Sequence, residues 1–155
     1  NNPGGLLLSA IETTQIFLGQ GNLVEVRDKN DKLVEKYVSR NRKTDPNLKL
    51  YVLLNNRSAS AAEILAGALK DREVGTIIGE QSYGKGTVQT IYPIHDDLYI
   101  KLTTASYYTA SGISFDGIGV TPHFKIKDTD AELYSKKDLI FQKALALSRE
   151  KPSKN

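Results

Sequence analysis

Apolar residues recur at helical spacing from Leu7 through Ala10 and Ile11 to Leu18, until Gly19 and Gly21 stop the pattern. The preceding NNPGG is turn chemistry. Next, 23-LVEVR-27 and 33-LVEKYV-38 flank 28-DKNDK-32, which predicts a β-hairpin closed by an Asn-Asp turn. The polar stretch 39-SRNRKTDPN-47 predicts a loop. After it, 50-LYVLL-54 is a short uninterrupted apolar run, the pattern of a strand buried on both faces. Ala61, Ile64, Leu65, Ala68 and Leu69 then form one continuous stripe, predicting a helix that begins near Ser60. A second buried strand is expected at 74-VGTIIG-79, followed by a glycine-rich loop.

Beyond that loop, 91-IYPI-94 and 98-LYIKLTTASYY-108 predict another hairpin around 95-HDD-97. The segment 117-GIGVTPHFKI-126 reads as loop and edge strand, because Pro122 cannot donate to a sheet ladder. A last helix is expected over 138-DLIFQKALALS-148. Strand, helix and strand alternate between residues 50 and 79. The expected class is therefore α/β, a mixed sheet around a strand–helix–strand core with antiparallel hairpins outside it.

Composition changes this picture little. A chain of 155 residues with 39% apolar and 25% charged residues fits one soluble domain with a real core. A net charge of +3, from scattered basic residues, gives no reason to expect a nucleic-acid partner. There is no cysteine, hence no disulfide framework and no thiolate chemistry. No apolar run approaches the roughly 18 residues of a membrane span, and nothing resembles a signal peptide. The chain opens on Asn1 and holds no methionine, so it is read as a fragment or processed product. Residues 149–155, REKPSKN, read as a solvated tail.

Two chemistries compete for the lysine of 79-GEQSYGKGT-87. Gly79, Gly84 and Lys85 match the spacing of a phosphate-cradling loop. That reading also needs a Ser or Thr directly after the lysine and a following helix. Here Gly86 follows, and 87-TVQTIYPI-94 is β-branched and proline-containing, so the nucleotide-binding reading fails on two of three counts.

The alternative is a lysine base serving a nucleophile, and 58-SASAAE-63 offers one. Ser60 lies between a buried strand and a helix start, where backbone amides face a developing anion. With no thiol and two histidines, the base need not be an imidazole, and Lys85 is a candidate substitute, because Ser–Lys pairs are a recognised variant of serine catalysis. The structural reading of the same residues is a capping box, with Ser60 capping the Glu63 amide and the glutamate returning the bond. Neither motif decides the matter alone.

Together, NNPGG at 1–5, SASAAEILAGALKD at 58–71, IIGEQSYGKGTVQT at 77–90, KLTTASYYTASG at 101–112 and GIGVTP at 117–122 resemble the C-terminal processing (tail-specific) serine proteases, peptidase family S41. The likeness covers about four fifths of the chain, in order. It implies a ClpP/crotonase-like fold and a catalytic domain of which residues 1–148 are a part. The domain's beginning and a PDZ domain would lie outside this chain. It implies a serine endopeptidase that cuts proteins near their C-termini through an acyl-enzyme, with Ser60 as nucleophile, Lys85 as base and Gln89 in support. The oxyanion would be held by the amide of Ala61 and by that of Gly4 or Gly5. Substrate C-terminal tails are the implied partners, no cofactor is called for, and the location is extracytoplasmic: periplasm, envelope or secreted. A partner chain or oligomer is expected to complete the sheet.

Departures are few. The family often carries serine where Ala62 stands, which narrows the nucleophile to Ser60. Ala110 replaces a usual proline, and His123 a usual aspartate outside the dyad. No metal role is expected for His95 or His123.

The chemistry sets conditions. A free lysine, with a pKa of about 10.4, is protonated at neutral pH, and burial is the means of making a lysine a base. Ile77, Ile78, Val88 and Ile91 flank the loop and are expected to supply that burial. Glu80, the nearest acid, is expected to point away. For Gln89 to orient Lys85, residues 85–89 should coil, because an extended strand would separate them by about 13 Å. A non-catalytic module that binds peptides by strand addition is the remaining alternative.

Overall fold

The computed structural model describes residues 1–41, 44–45, 47–129 and 132–150. The centre of the expected loop, the Asp130–Ala131 step and residues 151–155 of the expected tail lie outside the described residues.

The chain runs α1 (Leu7–Phe17), β1 (Gly21–Asp28), β2 (Leu33–Ser39), β3 (Leu50–Leu54), α2 (Ala61–Asp71), β4 (Gly75–Gly79), β5 (Thr87–His95), β6 (Leu98–Thr109), β7 (Phe124–Lys125) and α3 (Leu139–Arg149). Every element expected from the pattern is present. The first hairpin turns as foreseen: Asp31 takes a positive φ of 61°, and the Asp28 carboxylate accepts from the Asn30 and Lys32 amides at 2.8 and 3.0 Å. Asp138 caps α3 through the Phe141 amide at 2.7 Å.

Two sheets result. An antiparallel sheet of order β2-β1-β6-β5 joins the two hairpins, and a parallel sheet of order β3-β4-β7 holds the strand–helix–strand unit. Helix α2 lies between them. Ile64, Ala68 and Leu69 pack with Leu23, Val24, Val26, Ala105 and Tyr107 of the antiparallel sheet. Its opposite side, around Ala66, meets Leu54, Ile77 and Val120. A helix covered on two sides needs small residues where the second layer approaches, which explains the run Leu-Ala-Gly-Ala at 65–68. Helix α3 closes the far face of the parallel sheet, with Ile140 and Ala144 on Ile78.

The expectation for β3 needs correction. It is an edge strand, and Leu53 is 41% exposed rather than buried. Parallel strands are normally covered on both faces; among the described residues, one side of this strand has no neighbour. The expected edge strand at 117–126 contracts to Phe124–Lys125.

Candidate active site

The link from β3 to α2 is braced before it reaches Ser60. Ser58 is buried, its hydroxyl accepts from the Asn55 amide at 3.2 Å, and its carbonyl accepts from Tyr83 N at 2.9 Å. Its partners mark it as structural. Ala59 N donates to the Asn2 carbonyl at 2.9 Å, which lays the NNPGG turn directly on this link.

Ser60 itself is half-buried and sits at φ 57°, ψ −121°. Such a conformation costs a non-glycine residue about 1–3 kcal/mol and is characteristic of strained functional turns. The capping-box arrangement is present, with the Ser60 side chain facing the Glu63 amide and the Glu63 carboxylate facing the Ser60 amide. Ser60 N donates to Glu63 Oε2 at 2.8 Å, while the Glu63 amide donates to the Ser60 carbonyl, also at 2.8 Å. The Ser60 hydroxyl makes no cap hydrogen bond. The Glu63 amide is taken by the Ser60 carbonyl, so the alcohol faces the cap without a hydrogen bond of its own there.

Ala61 opens α2, so its N–H has no acceptor within the helix and points out at the positive end of the helix dipole. Gly4 presses on this turn. A Cβ there would lie 2.7 Å from the Ala59 carbonyl and 2.8 Å from the Ser60 Cβ, and its φ of +100° suits glycine. The Gly4 N–H is already donated to Asn2 Oδ1 at 2.9 Å. Gly5 is exposed, with open space at its Cα. Beside these groups a groove of about 250 Å³ is lined by Gly4, Gly5, Leu6, Ala61, Ala62 and Leu65. A larger cavity of about 440 Å³, lined by Gly67, Lys70, Asp71, Phe115, Ile118 and Val120, contains none of the expected catalytic residues.

The glycine-rich loop reaches the same place from β4. Gly84 N donates to Glu63 Oε1 at 2.6 Å and Lys85 N to Glu63 Oε2 at 2.8 Å. Gly86 N donates to Asp116 Oδ1 at 3.0 Å. These amides are the ones a phosphate loop would offer its ligand, and here two side-chain carboxylates take them. The segment continues as strand β5, not as a helix. The nucleotide-binding reading is excluded on geometry. The glycines serve close packing instead: a Cβ on Gly84 would meet the Gly119 and Ile118 nitrogens at 2.9 Å, and one on Gly86 the Asp116 nitrogen at 2.6 Å.

Ser60 N and Lys85 N thus share one carboxylate oxygen, so positions 60 and 85 lie no more than two hydrogen-bond lengths apart at the backbone. The Lys85 side chain does not meet the expected burial; it is exposed. The reason is visible in its neighbours. Ile77 and Ile78 are committed to the core of the parallel sheet, Val88 is half-buried and Ile91 is 61% exposed. Gln89 is also exposed and lies within β5, paired with Thr103 across a β-bulge. Residues 87–89 are strand, so the expected coil between Lys85 and Gln89 is absent. Glu80 behaves as expected: it lines a separate depression with Lys125 and Lys127, and among the described residues no ion pair joins it to Lys85.

His123 is structural. Its Nδ1 accepts from Ile77 N at 2.9 Å and its own amide donates to the Ile77 carbonyl at 2.8 Å, extending the edge of β4. Among the described residues no three His, Asp or Glu side chains gather as a metal cluster.

The residues missed by sequence reasoning are Glu63 in its full role, Ser82 and Asp116. Glu63 registered only as half of a capping box. Its place among alanines and leucines on a helix with little room for charge was the available signal.

The model of peptidase family S41 matches residues 1–126. The chain is 44% identical over 138 residues to a carboxy-terminal-processing protease of Bartonella bacilliformis, covering 89% of this chain and 32% of that protein. It is 40% identical over 131 residues to the carboxy-terminal processing protease CtpA of Bacillus subtilis, covering 83% and 28%. Among solved structures it resembles a photosystem II D1 C-terminal processing protease with a TM-score of 0.76 at 35% identity, over 81% of this chain and 32% of that one. The chain therefore spans about a third of the length of these relatives.

Proposed function

The chain belongs to peptidase family S41, and from that membership we propose that the protein containing it is a serine endopeptidase that cuts protein substrates near their C-termini. Ser60 attacks the peptide carbonyl, Lys85 accepts its proton and passes it to the leaving amine, and water then releases the acyl-enzyme. The observation that carries this reading is the single Glu63 oxygen holding the backbones of both residues. The strained turn of Ser60 and the absence of a cap hydrogen bond to its hydroxyl support it further.

The oxyanion is assigned to the amides of Ala61 and Gly5. Of the two glycines proposed from the resemblance, Gly4 has its N–H engaged by Asn2, and its part is to let the turn approach Ser60. Gly4→Ala is accordingly expected to lower kcat by about 100-fold, because it displaces the oxyanion donors by its clash with the Ser60 turn. A variant with wild-type kcat would remove Gly4 from the site. The neighbouring groove, lined by small and aliphatic residues together with Asn2, Ser9 and Thr13, is where a small side chain of the substrate would sit.

Because Lys85 is exposed, its dehydration in this reading comes with bound substrate. Gln89 enters as a residue that orients Lys85 once that cover is in place, because the strand at 87–89 does not itself bring the two together. The reaction calls on no metal or cofactor. The extracytoplasmic setting implied by the family belongs to the same proposal; no helix among the described residues is long and apolar enough to cross a membrane.

The test is covalent labelling of the complete protein with a fluorophosphonate. Labelling that disappears in Ser60→Ala supports the peptidase. Peptide binding with no labelling favours the alternative, a module that recruits extended chains without cutting them.

A further inference from the structure

Glu63 is fully buried, at 0% exposure, and makes bonds that the proposed reaction does not name. Its Oε2 accepts from Ser60 N and Lys85 N, both at 2.8 Å. Its Oε1 accepts from Ser82 Oγ at 2.5 Å and Gly84 N at 2.6 Å. The Ser82 hydroxyl in turn accepts from Val120 N at 2.6 Å, so its proton is directed to Glu63. Four donors from two separate segments therefore converge on one side chain.

We infer that Glu63 is the positioning residue that registers the base loop against the nucleophile turn in the proposed Ser60–Lys85 reaction. The inference rests on that reading of the site.

Three features argue for more than stability. A buried carboxylate is a costly way to fill a helix face that an apolar residue would fill as well. Its donors are not spread over the fold but come from positions 60, 82, 84 and 85, the two segments whose relative placement the chemistry needs. Ser60 also combines its positive φ with an amide bonded to Oε2 and a hydroxyl that makes no cap hydrogen bond. Glu63 thus holds the strained rotation of the nucleophile and the height of the base loop through one rigid group. Asp116 clamps the other side of that loop at Gly86. The Gly117 amide donates to the Gly84 carbonyl at 2.8 Å.

The experiment is Glu63→Gln in the complete protein, read as kcat, KM and the pH–rate profile per folded molecule. Glutamine keeps the shape but turns an NH2 toward groups that are themselves donors. The expected result is a fall in kcat of about 100-fold with KM little changed, together with a displaced pH profile. Loss of stability with wild-type kcat and pH profile in the folded fraction would reduce Glu63 to a structural residue and overturn the inference. If Glu63→Gln does not fold, Ser82→Ala removes one donor and spares the backbone. A fall in kcat of about 10-fold at unchanged KM is then expected, and wild-type kcat overturns the inference. The two failures are separable. Activity surviving in Ser60→Ala or Lys85→Ala sinks the catalytic reading itself. Inactive Ser60 and Lys85 variants beside a fully active Glu63→Gln leave the reading standing and remove only Glu63.

Discussion

Ser60→Ala is expected to reduce peptide hydrolysis by the complete protein about 10⁴-fold or more, while stability changes by less than about 0.5 kcal/mol. The two halves of this expectation separate catalysis from capping. A serine that serves as a helix cap loses about 1 kcal/mol when replaced by alanine, and its loss leaves chemistry elsewhere untouched. The Ser60 hydroxyl makes no cap bond. The bond that organises the turn runs from the Ser60 amide to Glu63, and alanine retains it. Alanine also tolerates the positive φ no worse than serine does. Kinetics on a C-terminally tagged peptide and a thermal melt of the same preparation check both parts. A variant that melts early yet cleaves normally would return Ser60 to a structural role.

Lys85→Ala carries the second large effect, again a loss of about 10⁴-fold in hydrolysis with the fold intact. The fold is spared because the loop is held by the Lys85 amide and its neighbours, not by the side chain, which is exposed. Lys85→Arg should not rescue activity, because a guanidinium stays protonated and cannot accept the serine proton. The rising limb of the pH–rate profile should vanish with the amine. Substantial cleavage by either variant would mean that another group takes the proton, and the dyad would have to be abandoned.

The candidate site was partly legible because two of its features are local. A serine between an apolar strand and an amphipathic helix can be found from spacing alone, and so can a glycine-flanked lysine after the next strand. The competing readings of that lysine could not be closed from spacing. A phosphate loop and a loop that packs against carboxylates need the same glycines, for the same close approach of backbone. What separates them is the partner of the Gly84 and Lys85 amides, and Glu63 lies more than twenty residues away in the chain. Likewise the apolar run 50-LYVLL-54 specifies a strand but not its neighbours, and the structure leaves it at an edge. Flanking isoleucines suggested a buried lysine, but side chains alternate across a strand. Ile77 and Ile78 face the two cores of the parallel sheet and leave Lys85 outside both.

Periodicity and turn chemistry by themselves determined the order and type of the elements, the helix entrance at Ser60 and the proximity of glycines to Lys85, because each depends on neighbours within a few residues. The pairing of β1 with β6, the burial of Glu63 and the meeting of positions 60 and 85 on one oxygen were decided only by the tertiary structure. Long-range hydrogen bonds leave no period in a sequence. A carboxylate at a helix start reads the same whether it caps one amide or gathers four.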